Sequence, residues 1–170
     1  MLIDYAMLED RTRAFLYHIG CLSNREDRKP CKKAKDSLLF CLRIASGQDK
    51  ETLCLNKISG KIKIMRATLN WAANTEGVPE DEKYLKLLKS KYEETLDIGG
   101  VLETLDQIEA WCKYRNEVIH GLLNKNVDSL QSGLSEKCAE GMKYARYLDG
   151  QIKSLKKGNV IRRSLKLPIK

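Results

Sequence analysis

Residues 133–157 read GLSEKCAEGMKYARYLDGQIKSLKK, and this stretch gives the clearest indication of the fold class. Its apolar and small residues recur at alternating steps of three and four, at Leu134, Cys138, Gly141, Ala145, Leu148, Ile152 and Leu155. Because an α-helix has 3.6 residues per turn, this spacing places them on one face of a helix. The stretch therefore predicts an amphipathic helix that buries this face against other helices.

The same spacing recurs along the rest of the chain and predicts further helices. We expect them at about residues 2–22, 31–45, 50–74, 80–96 and 101–123. Proline and glycine mark the breaks, at Pro30, Gly47, residues 77–79 and residues 99–100. The sequence thus predicts an all-α protein, an antiparallel helical bundle of about five to six helices, over residues 1–158.

The end of the chain is strongly basic. Residues 153–170 hold seven Lys and Arg and no Asp or Glu, and the net charge of the whole chain is +8. We expect residues 159–170 to form a mobile basic tail, or a segment that orders on binding. Its expected partner is polyanionic, nucleic acid before an acidic protein or a membrane surface. A solvated tail accounts for the composition equally well. The candidate nucleic-acid-binding residues are Lys156, Lys157, Arg162, Arg163 and Lys166.

The cysteines and histidines argue against a metal site. The six cysteines include no CxxC pair, and neither His18 nor His120 lies at ligand spacing from a cysteine. We therefore expect reduced cysteines in the core of a cytoplasmic protein, with no metal and no cofactor. The sequence has no signal-peptide pattern and no run of about 20 apolar residues, which predicts no transmembrane helix. A membrane is therefore the least favoured of the polyanionic partners, and no membrane partner is expected. It also has no P-loop, GxSxG or HExxH motif.

Arg115 interrupts the apolar face of the helix predicted over residues 101–123. A permanently charged side chain is costly there unless it is paired or faces a cleft. Asn116 and His120 are four residues apart and share one side of the helix. Arg115 and His120 differ by about 140° around the helix axis. A cation, an amide and an imidazole placed in this way would flank a groove that can hold an anion such as a phosphate.

Arrangements without a binding site would give the same pattern. Arg115 could extend to solvent or pair with a buried acid, and His120 could be an exposed residue near a helix end. Residues 13–18 also place an Arg five positions before a His, but Ala14 follows that Arg where the later segment has Asn116. We interpret the earlier segment as a chance match.

The string Arg115-Asn116-Glu117-Val118-Ile119-His120 resembles the signature of the HEPN superfamily, an Arg, a polar residue, a short spacer and a His. Its place late in a helical bundle, with one more helix after it, is similar to that family's architecture. The resemblance implies a metal-independent endoribonuclease whose composite site lies between the two subunits of a homodimer. It also implies that His120 is the general acid and base, that Arg115 binds the phosphate and that Asn116 orients the other two.

The chemistry that the resemblance implies suits these residue types. The ribose 2′-OH loses a proton and attacks the adjacent phosphorus, while the leaving 5′-oxygen gains a proton. An imidazole can carry both protons near neutral pH, and a guanidinium stabilises the added negative charge. Single-stranded RNA is the expected substrate, cut to a 2′,3′-cyclic phosphate and a 5′-hydroxyl. The resemblance further implies a toxin or anti-phage defence effector, with an antitoxin or a regulatory partner.

One position departs from the family pattern. Toxins of this family that pair with a nucleotidyltransferase antitoxin often have a Tyr two residues after the His, and Leu122 stands there. Control by adenylylation is therefore not expected. Cys112, close to the motif in sequence, reads as a core residue and not as a nucleophile. Two further functions stay open: a non-catalytic helical RNA-binding or adaptor protein, and a regulatory subunit that holds a nucleotide or a partner protein in the groove.

Overall fold

The computed structural model describes residues 1–25, 55–74, 83–123 and 133–169. Within these ranges the regular structure is helical, which confirms the all-α fold class. The helix predicted over 31–45 and the turn predicted at 77–79 lie outside the described residues. The helices are α1 Leu2–His18, α2 Ile58–Asn74, α3 Lys83–Thr95, α4 Ile98–Leu123, α5 Leu134–Lys156, a 3-10 turn at Lys157–Asn159 and the short α6 Val160–Ser164.

Four helices form the core of a bundle. α1 packs against α2 and α5, and α4 packs against the same two helices. α4 and α5 are antiparallel, as predicted for neighbours in sequence. Near one end the Trp111 indole N–H donates to the Lys137 carbonyl at 2.6 Å, and near the other the Asp97 amide donates to the Gln151 side chain at 3.2 Å.

α1 runs parallel to α5 and brings its first residues to the end of α4. A Cβ built on Gly141 would lie 3.2 Å from Asp4 Cβ, and further along Arg11 donates to Asp149 at 2.6 Å. Since α4 runs the opposite way, the first turns of α1 and α5 meet its last turns. We call this part of the bundle the motif end; it consists of residues 1–5, 111–120 and 133–141.

The apolar face predicted for residues 133–157 is confirmed. Gly141, Ala145, Leu148, Ile152 and Leu155 are all buried in α5. Gly141 allows α5 to approach α4 closely, because a Cβ there would lie 2.8 Å from Cζ2 of Trp111. None of the described helices has both the length and the apolar character needed to cross a membrane.

Two helices are shorter than predicted. α1 ends at His18 and not near residue 22, because Gly20 takes φ +89° and closes the helix. The amide of Gly20 donates to Tyr17 and that of Cys21 to Leu16, which satisfies carbonyls of the last turn. α2 begins at Ile58, so the predicted start near residue 50 is wrong for residues 55–57, which form a turn.

The break predicted at residues 99–100 is also wrong. α3 ends at Thr95 and α4 begins at Ile98, so both glycines lie in the first turn of α4. The reason is local: Asp97 accepts a hydrogen bond from the Gly100 amide at 3.0 Å and thereby caps the helix. Glycine costs a helix only about 1 kcal/mol, which a cap of this kind offsets.

The prediction of a separate tail over residues 159–170 is wrong for residues 160–167, which fold back onto the bundle. Ile161, Leu165 and Leu167 are buried. A Cβ on Gly20 would lie 2.1 Å from Leu165 Cδ1, so the missing side chain at Gly20 makes room for this segment. The segment is held by its apolar residues as well as by Arg162.

Arg162 is fully buried, with 0 % of its surface exposed. Its guanidinium donates to the carbonyls of Tyr17, Leu22, Ser23 and Pro168 at 2.6–2.9 Å. It also stacks on the Tyr17 ring, with Cζ 3.6 Å from the ring centroid. Arg162 thus supplies donors to carbonyls at and after the end of α1 and to the carbonyl of Pro168. Arg162 is part of the core, and its predicted role in nucleic-acid binding is corrected.

Candidate functional site

Arg115 is held in place by an aromatic ring and an amide. It lies half-buried on α4, and its Cζ is 4.2 Å from the centroid of the Tyr5 ring of α1. Its Nη1 donates to Asn116 Oδ1 at 3.0 Å. Its Nε is buried and has no hydrogen-bond partner among the residues that the structure describes. Stacking of a guanidinium on a tyrosine face contributes about 0.5–2 kcal/mol, which helps to keep this charge on an otherwise apolar face.

No acid neutralises Arg115 in the part of the chain that the structure describes. The ion pairs there join other residues, and none includes Arg115. Pairing of Arg115 with a buried acid is therefore excluded for the described ranges. A half-buried guanidinium with no carboxylate beside it attracts an anion, and its planar N–H groups match a phosphate.

Asn116 and His120 lie on the solvent side of α4. Both are exposed, and His120 belongs to the last turn of the helix. The rotation expected from helix geometry is present, because Arg115 faces Tyr5 while His120 faces solvent. Among the described residues no hydrogen bond joins His120 to Arg115 or Asn116. The structure brings Arg115 and Asn116 together and leaves His120 apart at the same helix end.

Cys112 lies one turn before Arg115 and is half-buried. Burial raises the pKa of its thiol to about 11, although the nearby Arg115 charge acts in the opposite direction. The thiol is therefore protonated at neutral pH, where only a thiolate would act as a nucleophile. This agrees with the interpretation of Cys112 as a core residue. Cys21, Cys112 and Cys138 are free thiols, and the other three cysteines lie outside the described residues.

Sequence reasoning missed Tyr5 as a neighbour of Arg115. Tyr5 is partly buried and packs against the hydrophobic core. The contact depends on α1 running parallel to α5 and meeting the end of α4. The spacing of residues within one helix cannot predict such a contact, because Tyr5 and Arg115 are far apart in the sequence and lie on different helices.

The earlier Arg and His pair at residues 13–18 has a different environment. Arg13 donates to Glu9 at 3.4 Å, so its charge is paired. His18 is 7 % exposed, and its buried Nδ1 has no hydrogen-bond partner within the described part of the chain. Burial, and then the nearby Arg162, Lys156 and Arg25, lower the pKa of His18 to about 4. This environment favours the interpretation of residues 13–18 as a chance match.

The remaining predicted nucleic-acid-binding residues lie far from the motif end. Lys156, Lys157, Arg163 and Lys166 are exposed. Lys156 ends α5, whereas Lys137, beside Trp111, lies in its first turn. At 1.5 Å per residue the two positions are about 28 Å apart. The two predicted parts of the site therefore occupy opposite ends of the bundle.

The comparisons with known proteins identify no relative of this chain. The chain matches no protein-family model, no curated protein and no solved structure. In the four described ranges, no three His, Cys, Asp or Glu side chains are grouped closely enough to hold a metal ion. The resemblance to the HEPN signature therefore rests on residues 115–120 and on their place in a helical bundle.

Proposed function

We propose that this chain is a metal-independent endoribonuclease of the HEPN type that cuts single-stranded RNA. The observation that carries the proposal is Arg115, a half-buried cation on the same helix end as the exposed His120. No acid among the described residues pairs with it. The proposal includes a role as a toxin or anti-phage defence effector in the cytoplasm. An antitoxin or a regulatory protein would be its partner.

In the proposed reaction His120 takes the proton of the ribose 2′-OH, whose oxygen attacks the adjacent phosphorus. The bond from phosphorus to the 5′-oxygen breaks, and a protonated imidazole returns a proton to that oxygen. The guanidinium of Arg115 binds the phosphate oxygens as their charge grows, and Asn116 keeps the guanidinium in position. The products are a 2′,3′-cyclic phosphate and a 5′-hydroxyl, and DNA is not cut because it lacks the nucleophile.

A homodimer forms part of the proposal. One chain leaves His120 and Arg115 apart, so a second copy at the motif end would complete the site. Two large apolar side chains are exposed at this end, Leu2 at 73 % and Ile3 at 77 %. Apolar surface of this kind is typical of an interface core. Replacing both by Asp should give a monomer without cleavage activity in analytical ultracentrifugation and RNA assays, while Leu87→Asp on α3 should leave the dimer and cleavage unchanged.

The proposal is tested with purified wild type and His120→Ala on labelled single-stranded RNA in excess EDTA. We expect the wild type to cut the RNA and the variant to be slower by about 10²–10⁴-fold, the usual contribution of general acid and base catalysis. The same DNA sequence should remain intact. Equal cleavage by the two proteins would overturn the assignment of His120, and no cleavage by the wild type would overturn the activity itself.

A second function, a non-catalytic helical RNA-binding or adaptor protein, is favoured by one observation. His120 does not contact Arg115 in the described part of the chain, whereas several cations at the other end of the bundle are exposed. This function predicts RNA binding that weakens with salt and does not depend on Arg115 or His120. Binding without cleavage by either protein of the preceding test would select it.

A further inference from the structure

The outward face of α5 carries a line of exposed cations. Lys143, Arg146 and Lys153 are exposed. At 100° per residue they lie within about 80° of one another, on the side opposite the buried Leu148. Gly150 lies between them, and nothing is within 4 Å of the position that its Cβ would take. We call Lys143, Arg146 and Lys153 the basic stripe.

The charge of the basic stripe is only partly cancelled by neighbouring acids, because the ion pairs of the described residues include Lys153 but neither Lys143 nor Arg146. Glu136, in the first turn, is the one exposed acid of α5, seven residues before Lys143. Glu140 beside the stripe is bound by Lys137 at 2.8 Å. Asp149 is bound by Arg11 at 2.6 Å and by Lys153 at 3.0 Å, yet the Lys153 side chain keeps 77 % of its surface exposed.

The basic stripe connects the two ends of the bundle. It begins next to the motif end, two residues after Gly141, and it leads to the exposed Lys156 and Lys157. From Lys143 to Lys157 the rise is about 21 Å at 1.5 Å per residue. At about 3.4 Å per stacked nucleotide this length corresponds to about six nucleotides. Arg163 and Lys166, also exposed, continue the positive surface beyond the end of α5.

The surroundings of the stripe fit a nucleic-acid strand better than a lipid surface. In the described residues the exposed large apolar side chains are Leu2, Ile3, Leu87 and Ile169, and none of them is on α5. A helix that lies on a membrane needs apolar residues to insert beside its cations. Instead Tyr147 lies half-exposed next to the stripe, its hydroxyl bonded to Asp97 at 2.9 Å. In proteins that bind single-stranded nucleic acid, bases stack on aromatic rings and nearby cations bind the phosphates.

We propose that the basic stripe of α5 binds the phosphate backbone of single-stranded RNA and leads the strand along the bundle to the motif end. The identity of the ligand as RNA rests on the proposed function. The stripe explains how cations about 28 Å from the motif contribute to one RNA-binding surface. It also predicts that short RNA reaching only the motif end binds more weakly than RNA that spans α5.

The test measures RNA binding in a background that does not cut. His120→Ala protein is titrated into a fluorescein-labelled single-stranded RNA of about 12 nucleotides, twice the length that the stripe spans. One variant adds Lys143→Gln, Arg146→Gln and Lys153→Gln. The matched control adds Lys57→Gln, Lys63→Gln and Lys86→Gln, which remove the same charge from exposed positions elsewhere. Circular dichroism checks that both variants remain folded.

We expect the stripe variant to bind at least about tenfold more weakly, and its salt dependence to lose about two units of slope for three phosphate contacts. The control should change affinity less than twofold. Equal losses in the two variants, or no RNA binding by the His120→Ala protein at low salt, would overturn the inference. Binding that depends on the stripe in a protein whose wild type never cuts RNA would keep the inference and overturn the proposed nuclease.

Discussion

Two segments of this chain have an Arg five residues before a His, and the two segments differ in the pairing of the Arg and in the exposure of the His. In residues 13–18 the Arg is paired with Glu9 and the His is buried, with a pKa of about 4. In residues 115–120 the Arg stacks on Tyr5, with no acid partner in the described ranges, and the His is exposed. The two segments contain the same pair of residue types at the same spacing.

The spacing of two residues does not by itself make a site. What separates the segments is the charge and the exposure around each side chain, which depend on the neighbouring helices. His18 is neutral near physiological pH and lies at the end of α1, under the folded C-terminal segment. Arg115 lies against Tyr5 of α1 and has no acid partner among the described residues, which supports the proposal that it binds an anion.

The largest contrast is expected between Arg115→Ala and Arg13→Ala in RNA cleavage. In the proposed mechanism Arg115 stabilises the charge on phosphorus, so its loss should lower the single-turnover rate by about 10²–10³-fold. Arg13→Ala breaks only a half-exposed ion pair, and its rate should stay within about twofold of wild type. Similar rates for the two variants would abolish the distinction between the segments.

The second contrast concerns stability against pH. The pKa of His18 is lowered to about 4 in the folded chain, against 6.5 for an exposed histidine. Below about pH 6.5 the unfolded chain therefore binds a proton that the folded chain rejects, and the free energy of unfolding falls until about pH 4. Between about pH 7 and pH 4.5 we expect a loss of about 2–3 kcal/mol at about 1.4 kcal/mol per unit. Urea unfolding at pH 7 and at pH 4.5 measures this change in the free energy of unfolding.

His18→Gln provides the control for this prediction. Glutamine has no titrating group, so the variant should lose about 2–3 kcal/mol less than wild type over the same pH range. Acids such as Glu9 and Asp149, whose pKa values are lowered by Lys61 and by Lys153, lose stabilising pairs at still lower pH in both proteins. If the free energy of unfolding depended on pH equally in the two proteins, His18 would not be the source of the loss of stability.

The smallest contrast compares two substitutions of Tyr5. Tyr5→Leu removes the ring under Arg115, worth about 0.5–2 kcal/mol, and should lower the cleavage rate by about 2- to 30-fold. Tyr5→Phe keeps the ring and should cut at nearly the wild-type rate. A cleavage rate that Tyr5→Leu leaves unchanged would show that Arg115 does not need this contact.

The helix faces could be predicted from sequence because burial repeats with the helical period. The apolar positions of α5 and the irregular place of Arg115 on α4 follow directly from that period. The folded C-terminal segment could not be predicted in this way. The cations of residues 153–170 favour solvent exposure, whereas Arg162 satisfies carbonyls at the end of α1 and Leu165 fills the space beside Gly20. These are contacts between distant parts of the chain.

For the candidate site, the sequence could predict only which residue types lie on one helix and on which side of it. Asn116 beside Arg115, and His120 on the same helix end, follow from helical geometry. The Tyr5 contact depends on how the helices are arranged in the bundle. The cations of the basic stripe are spaced by three and seven residues in the sequence, which places them on one helix face. Whether their charge is free depends on which acids are already paired, and the sequence does not report that.

The proposed nuclease differs from every binding role in one respect, because residues 115–120 would cut RNA through its 2′-OH. This is measured by the chemical identity of the ends that the wild-type protein leaves on a defined RNA in excess EDTA, read by mass spectrometry. We expect a 2′,3′-cyclic phosphate and a 5′-hydroxyl, both absent with His120→Ala. A 3′-hydroxyl with a 5′-phosphate, or the same ends from His120→Ala, would rule out this chemistry.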